Sequence, residues 1–358
     1  MTPLVVLSLL LQLAAASMPS KFLSGLASEA FELLPDVLRA SIKTNLGGYH
    51  KPEDPVPRNI IYAQTFEDRK GKRVSLLPLL WHDTQVTHVI LASIHLHPKP
   101  GDIRLNDHPF HSDEYDITWQ EVQALKNHNI KVMAMLGGSA GGTYKYFNGS
   151  EEEFYAYYNP LKELLLKHKL QGLDLDIEES VPVSVPLRLL NALHRDIGPE
   201  FILTLSPLSS ALLPPSSDFE NQNPSGFSYH DLDSFATIPG SDTKLISWFN
   251  AQFYGHFPKG PPTYEMVIEE GKWRPERVVM GVLDSPECGP PNGFLRMENL
   301  RRRIKELKGS FKGFGGVAGW EFFEAGTGDG VIDKPWDWLV DVGEELFGKI
   351  DHRKKDEL

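Results

Sequence analysis

The sequence predicts an α/β protein whose strands close into a (β/α)8 barrel of the TIM type. From Asn59 onward, short apolar runs alternate with longer amphipathic runs, the pattern of repeated strand–helix units around a parallel sheet. Eight of these runs have the properties of strands, and a doubly wound sheet usually has fewer. The 358 residues are 41% hydrophobic, which is enough apolar material for a large core. In such a barrel, the chemistry must lie at the carboxyl ends of the strands.

The periodicity of apolar residues gives the elements in order. The predicted strands are residues 60–64, 88–94, 132–136, 172–177, 202–206, 248–254, 278–283 and 316–321. The predicted helices are residues 119–127, 152–167, 186–197, 264–271, 298–308 and 336–346. The barrel domain is therefore placed at residues 58–348. Residues 18–57 precede it as a short helical preface and a proline-rich linker, because Pro52, Pro55 and Pro57 cannot continue a helix.

Both ends of the chain carry targeting patterns. An apolar run at residues 4–13, followed by three alanines, is typical of a signal peptide, which we place at residues 1–17. The run is too short for stable membrane insertion. The tail at residues 349–358 ends in Lys355-Asp356-Glu357-Leu358. The KDEL receptor recognises this sequence and returns proteins that carry it to the endoplasmic reticulum. The expected location is the lumen of that compartment, where the sequon at Asn148 would be a glycosylation site.

Charge and cysteine content narrow the class of protein. A formal net charge of -12 argues against nucleic-acid binding, which needs a concentrated basic face. Cys288 is the only cysteine, so the fold cannot depend on an internal disulfide bond. We expect a monomer that needs no cofactor.

The strongest local pattern is Gly-Leu-Asp-Leu-Asp-Ile-Glu-Glu at residues 172–179. Alternate residues of a strand face the same side, so Asp174, Asp176 and Glu178 share a face, which in a barrel is the interior. Like charges held close together push their pKa values apart and keep one group protonated at neutral pH. Glu178 is nearest the open rim and is best placed to act as an acid. The alternatives are an exposed acidic edge strand and a divalent metal held by the three carboxylates.

Residues 172–178 resemble the signature strand of glycoside hydrolase family 18, in which two aspartates and a glutamate alternate at the end of the fourth barrel strand. The family pattern has a further aspartate where this chain has Gln171. Residues 135–139 resemble the family's glycine-containing third strand. The resemblance extends over residues 58–347 and is closest to fungal secreted endo-β-N-acetylglucosaminidases of the Endo T type. The segments that carry this closer match are residues 105–107, 226–229, 250–254 and 319–323.

The resemblance implies a retaining mechanism in which the acetamido oxygen of the substrate, and not a second carboxylate, attacks the anomeric carbon. Glu178 would protonate the glycosidic oxygen and then activate water. Asp176 would hold the acetamido N–H, with Asp174 beneath it as a supporting partner. Tyr254 would donate a hydrogen bond to the acetamido carbonyl. The implied substrate is the chitobiose core of N-linked glycans, and chitin is the alternative because chitinases share the signature strand.

Three further residues are candidates for binding the sugar. Gln252 lies on the same strand face as Tyr254, so both side chains could point at the sugar. Trp320 resembles the tryptophan that forms the floor of the family's central sugar subsite, and the alternative is a core residue. Gln64, at the end of the first strand, could line the pocket. Glu179 and Glu321 are expected to face away or to form rim contacts, and we assign them no role.

Histidines near the second strand suggest a second kind of site. His95 and His97 share a strand face, and His108 and His111 follow in the next loop, so these rings could hold zinc. Because the carboxylate strand needs no metal, we expect no metal site and interpret the histidines as loop residues with satisfied hydrogen bonds, some of which line a glycan groove. A lectin-like barrel that binds glycans without cleaving them is the alternative of another class, since this fold hosts many functions.

Overall fold

The computed structural model describes residues 55–350 except for short gaps at 215–216, 218–221, 239, 256, 258–259, 291–292 and 331–332. The proposed signal peptide, the helical preface with most of its linker and the retrieval sequence lie outside the described residues. All residues whose structure is described below belong to one compact unit.

Eight parallel strands close into a barrel. They are β1 (Arg58–Ala63), β2 (His88–Leu96), β5 (Lys131–Gly137), β6 (Gly172–Asp176), β7 (Ile202–Leu205), β8 (Trp248–Gln252), β9 (Val278–Leu283) and β10 (Gly316–Trp320). Each strand pairs with the next along the chain, and β1 pairs with both β10 and β2, which closes the cylinder. A small antiparallel hairpin, β3 (Ile103–Leu105) and β4 (His108–Pro109), extends β2 outside this ring.

Each barrel strand is followed by a helix. The described ones are α1 (Pro78–Trp81), α2 (Asp116–Asn127), α3 (Glu151–Lys167), α4 (Ser184–Ile197), α5 (Tyr229–Phe235), α6 (Tyr264–Glu269), α7 (Met297–Ser310) and α8 (Pro335–Phe347). Helix α3 begins with a capping box in which Ser150 and Glu153 satisfy each other's backbone N–H groups. No helix within the described ranges is both long and apolar enough to cross a membrane.

Apolar side chains fill the part of the barrel interior that lies away from the carboxyl ends of the strands. Alternate residues of the strands, among them Ile60, Ile90, Met133, Ile202 and Val279, form a buried cluster. Acidic and polar side chains replace them towards the carboxyl ends. Because the strand pairing aligns Met135 with Asp174, the acidic face of β6 is the interior face of the barrel.

The predicted (β/α)8 barrel is confirmed, and each predicted strand corresponds to a barrel strand within a few residues. The sixth strand ends earlier than predicted, at Gln252, so Tyr254 lies in the loop that follows it. Helices α1 and α5 and hairpin β3–β4 are absent from the predicted elements. All three are short, and α5 begins at Ser228, whose side chain accepts a hydrogen bond from the Asp231 backbone N–H.

Candidate active site

A cavity of about 680 Å³ opens at the carboxyl ends of the barrel strands. This volume lies within the range of roughly 300–1,000 Å³ that is common for small-molecule sites. Its walls include all but one of the residues that the sequence analysis selected for the reaction and for sugar binding: Gln64, Asp176, Glu178, Gln252, Tyr254 and Trp320. Asp174 is the exception because it lies deeper in the barrel and is fully buried.

Asp174 accepts a complete set of hydrogen bonds. Tyr62 and Ser206 donate to Oδ2, at 2.8 and 2.9 Å, and Thr204 and Asn250 donate to Oδ1, at 2.5 and 3.1 Å. Burial raises the pKa of Asp174, and these donors act against the rise. Tyr62 is in β1, Asn250 is in β8, Thr204 is in β7 and Ser206 directly follows β7. Asp174 therefore joins separate parts of the barrel wall.

Asp176 is the last residue of β6 and is nearly fully buried. Burial raises its pKa well above the usual range, and the neighbouring carboxyl groups of Glu178 and Asp174 raise the pKa further. Asp176 therefore holds a proton more strongly than a free aspartate, as expected when carboxyl groups share a site of low polarity.

Glu178 lies two residues beyond the end of β6 and is only partly buried. Its Oε1 atom lies 3.5 Å from Nε2 of Gln252, and the same nitrogen lies 3.2 Å from Oδ1 of Asp176 and 2.9 Å from the Ser206 carbonyl oxygen. The Gln252 amide thus bridges the two carboxyl groups. The carboxyl group of Glu178 reaches the cavity, and the buried Asp176 lies below it.

Two aromatic side chains complete this part of the cavity. Trp320 is the last residue of β10, and its ring packs at 5.4 Å from the ring of Tyr62, which donates to Asp174. Tyr254 also lines the cavity, close enough to Asp176 and Glu178 to interact with their charges. Burial, followed by the charges of Asp176 and Glu178, raises its pKa well above the usual value, so the hydroxyl group remains a hydrogen-bond donor.

A glycine at the end of β5 lets that strand approach the acidic strand closely. A Cβ atom at Gly137 would lie 2.3 Å from the Asp176 carbonyl oxygen and 2.6 Å from the Tyr144 ring. The backbone φ of Gly137 is +95°, which also favours glycine. The glycine-containing segment that the sequence analysis singled out therefore has a physical role, which is to keep the third and fourth barrel strands in contact beside the site.

The histidines do not converge. His95 lines the cavity, and burial lowers its pKa, with His97 lowering it further. His108 lies 3.0 Å from Glu114, while the ring of His111 packs near His168 and Phe110. Among the residues that the structure describes, no three His, Cys, Asp or Glu side chains are placed to hold a metal ion.

Sequence reasoning missed several cavity residues. Ser93, Leu208 and Phe257, as well as residues 222–224, line the cavity but match no pattern of chemistry-bearing residues. Cys288, interpreted from the sequence only as a lone thiol, also lines it, and burial, followed by the charge of Asp284, raises the pKa of the thiol. Only the fold brings these positions together.

A second pair of buried carboxyl groups lies behind the cavity wall. Asp284 is fully buried, and its Oδ2 atom has no hydrogen-bond partner among the described residues. Burial and then the charge of Glu321 raise the pKa of Asp284 well above the usual range. Glu321 was expected to face away or to form rim contacts and was assigned no role; the residue is 5% exposed and accepts hydrogen bonds from Gln64 and Thr65 at the end of the first barrel strand.

Replacement of Asp284 by Asn is expected to stabilise the protein at neutral pH. Below the ordinary aspartate pKa of 3.8, Asp284 is protonated in both the folded and the unfolded chain. As the pH rises above that value, the unfolded chain ionises first, so the wild-type protein loses stability until the raised pKa of the folded state is reached. Asparagine removes this loss.

Thermal unfolding of wild type and Asp284→Asn at pH 4 and pH 7 measures the effect. The melting temperature of the variant should exceed that of wild type by more at pH 7 than at pH 4. Asp231→Asn, at an exposed position, is the control. A difference of the same size at both pH values would contradict the assignment of a raised pKa to Asp284.

A closed barrel with an acidic residue at the cavity mouth and a buried aspartate of raised pKa below it fits a glycoside hydrolase, whose general acid must reach the glycosidic oxygen. Neither a scan of protein-family models nor a search of curated proteins found a match for the sequence. Solved structures do match. A chitinase, ChiC, from Aspergillus fumigatus is 39% identical with a TM-score of 0.68, and the match covers 80% of this chain and 98% of that chain.

A fungal endo-β-N-acetylglucosaminidase from glycosyl hydrolase family 18 is 32% identical with a TM-score of 0.72, and the match covers 83% of this chain and 100% of that chain. The chain therefore belongs to glycoside hydrolase family 18. A family 18 chitinase from Pseudoalteromonas aurantia, at 16% identity and a TM-score of 0.59, has the same fold.

Proposed function

We propose that the protein hydrolyses the β-1,4 bond between two N-acetylglucosamine residues, and that its substrate is the chitobiose core of N-linked glycans. The observation that supports this most strongly is the placement of Glu178 at the cavity mouth beside Asp176, whose pKa burial raises. A general acid must reach the glycosidic oxygen, and its partner carboxyl group must tolerate burial next to it.

The proposed reaction has two steps. The Glu178 carboxyl group gives its proton to the glycosidic oxygen as the bond from that oxygen to the anomeric carbon breaks, and the acetamido carbonyl oxygen bonds to the same carbon. The resulting oxazolinium ion carries positive charge, which Asp176 stabilises through the acetamido N–H. Glu178 then takes a proton from water, and the water oxygen bonds to the anomeric carbon as the bond from that carbon to the acetamido oxygen breaks. This restores the acetamido group, and the configuration is retained.

The remaining cavity residues position the sugar in this proposal. Tyr254 donates its hydroxyl hydrogen to the acetamido carbonyl, and Gln252 holds both carboxyl groups in place. Trp320 offers an aromatic face to the apolar side of the sugar ring. Asp174 accepts hydrogen bonds from four side chains deeper in the barrel, and it thereby holds Asp176 and the surrounding strands in place.

Chitin hydrolysis is a second candidate because a relative of 39% identity is a chitinase. An assay against a high-mannose glycoprotein and against chitin oligosaccharides separates the two. Release of glycan with one N-acetylglucosamine left on asparagine, at a higher kcat/KM than that for chitin oligosaccharides, is the expected result. Cleavage of chitin oligosaccharides alone would show that the second candidate is correct.

We propose residence in the lumen of the endoplasmic reticulum, where the enzyme would trim glycoproteins and Asn148 would itself be glycosylated. The apolar run at residues 4–13 and the last four residues support this, and Asn148 is exposed just before α3. Deletion of residues 355–358 should send the protein out of the cell, and unchanged retention would contradict the proposed location.

Asn148→Gln should remove the mass of one glycan from the protein, and an unchanged mass would contradict glycosylation at Asn148.

A further inference from the structure

The strand pairing of β1 ends one residue before the chain reaches the cavity. The pairing of β1 with β10 ends at Ile61 and Gly319, and the pairing with β2 ends at Ala63 and Leu91. Gln64, which lines the cavity, is the first residue beyond both ladders. Its backbone groups therefore need partners other than neighbouring strands.

On one side of Gln64, the partner is Asn106 in the turn of hairpin β3–β4. The Asn106 amide nitrogen Nδ2 donates to the Gln64 carbonyl oxygen at 2.7 Å, and Oδ1 accepts from the Ser93 N–H at 3.0 Å. The Asn106 N–H also donates to the Ser93 carbonyl oxygen at 2.9 Å. Asn106 has φ +53°, a left-handed conformation that asparagine tolerates better than most residues. It thus joins Gln64 to Ser93, a second cavity residue.

On the other side, the partner is Glu321. Its Oε2 atom accepts from the N–H groups of Gln64 and Thr65 at 3.1 and 3.3 Å, and Oε1 accepts from the Thr65 hydroxyl at 2.7 Å. Glu321 directly follows Trp320 in the chain, so these bonds join the first barrel strand to the cavity tryptophan of the last. The side chain is 5% exposed, so these bonds are shielded from competing water.

We propose that Glu321 and Asn106 are positioning residues that fix Gln64, Ser93 and Trp320 as one rigid wall against which the sugar binds. We name Glu321, Asn106 and Thr65 together the rim clasp. Neither Glu321 nor Asn106 lines the cavity, so each acts through the residues that it holds. This inference rests on the proposed function, because it takes the ligand of the cavity to be an N-acetylglucosamine oligosaccharide.

The test measures binding apart from turnover. Glu178→Gln serves as the parent, and the affinity for the tetrasaccharide of β-1,4-linked N-acetylglucosamine is measured by titration calorimetry. Addition of Glu321→Ala or Asn106→Ala should weaken binding by roughly 3- to 10-fold, the equivalent of about one net hydrogen bond to the sugar. Glu321→Gln should restore most of the affinity, because one amide oxygen can accept from both N–H groups while the NH2 group donates to the Thr65 hydroxyl.

A double variant separates positioning from general destabilisation. If Glu321 acts through the wall that includes Gln64, then Glu321→Ala should weaken binding less in a Gln64→Ala protein than in the parent. Glu179→Ala is the matched control, because Glu179 also accepts a backbone N–H, that of Tyr144, and contacts none of the clasp residues. With Glu178 restored, the Glu321→Gln enzyme should keep the pH profile of wild type.

Several outcomes overturn the proposal. Unchanged affinity in folded Glu321→Ala and Asn106→Ala proteins, or full additivity with Gln64→Ala, would contradict it alone. If Glu321→Ala fails to fold, Thr65→Val still removes one side-chain hydrogen bond of the clasp and Asn106→Ala removes two, and both give the same comparison. Absence of oligosaccharide binding by the Glu178→Gln parent would overturn the proposed function and this proposal with it.

Discussion

Replacement of Glu178 by Gln is expected to lower kcat by about 10²- to 10⁴-fold, the usual contribution of a general acid–base group. Glutamine has nearly the same shape and can keep its contact with Gln252, whose Nε2 lies 3.5 Å from Oε1 of Glu178. It cannot give a proton to the leaving oxygen or take one from water. Substrate binding should change little, so the loss should fall on kcat more than on KM.

Glycan release from a glycoprotein and cleavage of chitin oligosaccharides, each followed to single turnover, measure this loss. Glu179→Gln is the matched control, because the substitution is identical and one residue away, and Glu179 points to the Tyr144 N–H and not into the cavity. Wild-type kcat in the Glu178→Gln enzyme on both substrates would remove Glu178 from the reaction.

Replacement of Asp176 by Asn is expected to give the second largest effect, a fall in kcat of about 10²- to 10³-fold, comparable to the loss of one preorganised electrostatic contact. Asparagine resembles the protonated form that burial and the charge of Glu178 favour in the resting site. It cannot ionise as the oxazolinium charge develops. The folded site should therefore tolerate the substitution, while the charged intermediate loses its stabilising carboxylate.

The comparison of kcat and KM for wild type and Asp176→Asn, with the melting temperature as a check on folding, tests this. The exposed Asp231→Asn variant provides the control for the substitution itself. An Asp176→Asn enzyme with an unchanged kcat and a raised KM would mean that Asp176 contributes to binding alone.

Some features follow from the sequence because they depend on neighbours in the chain. Alternation along residues 172–178 places Asp174 and Asp176 on one face of β6 whatever the rest of the fold does, and Glu178 continues this alternation. The order of strands around the barrel follows equally well, because eight apolar runs separated by helical segments have few other ways to bury their faces. The fold class and the acidic residues of the site were therefore predictable.

Other features depend on residues that are distant in the chain, and only the tertiary structure decides them. Asp174 is satisfied by Tyr62, Thr204, Ser206 and Asn250, and no spacing in the sequence links these residues to it. Glu321 lies in a segment that carries the family resemblance, but no spacing in the sequence links it to Gln64 and Thr65. Its burial follows from barrel closure, which brings the end of the last strand against the first and leaves backbone N–H groups there without strand partners.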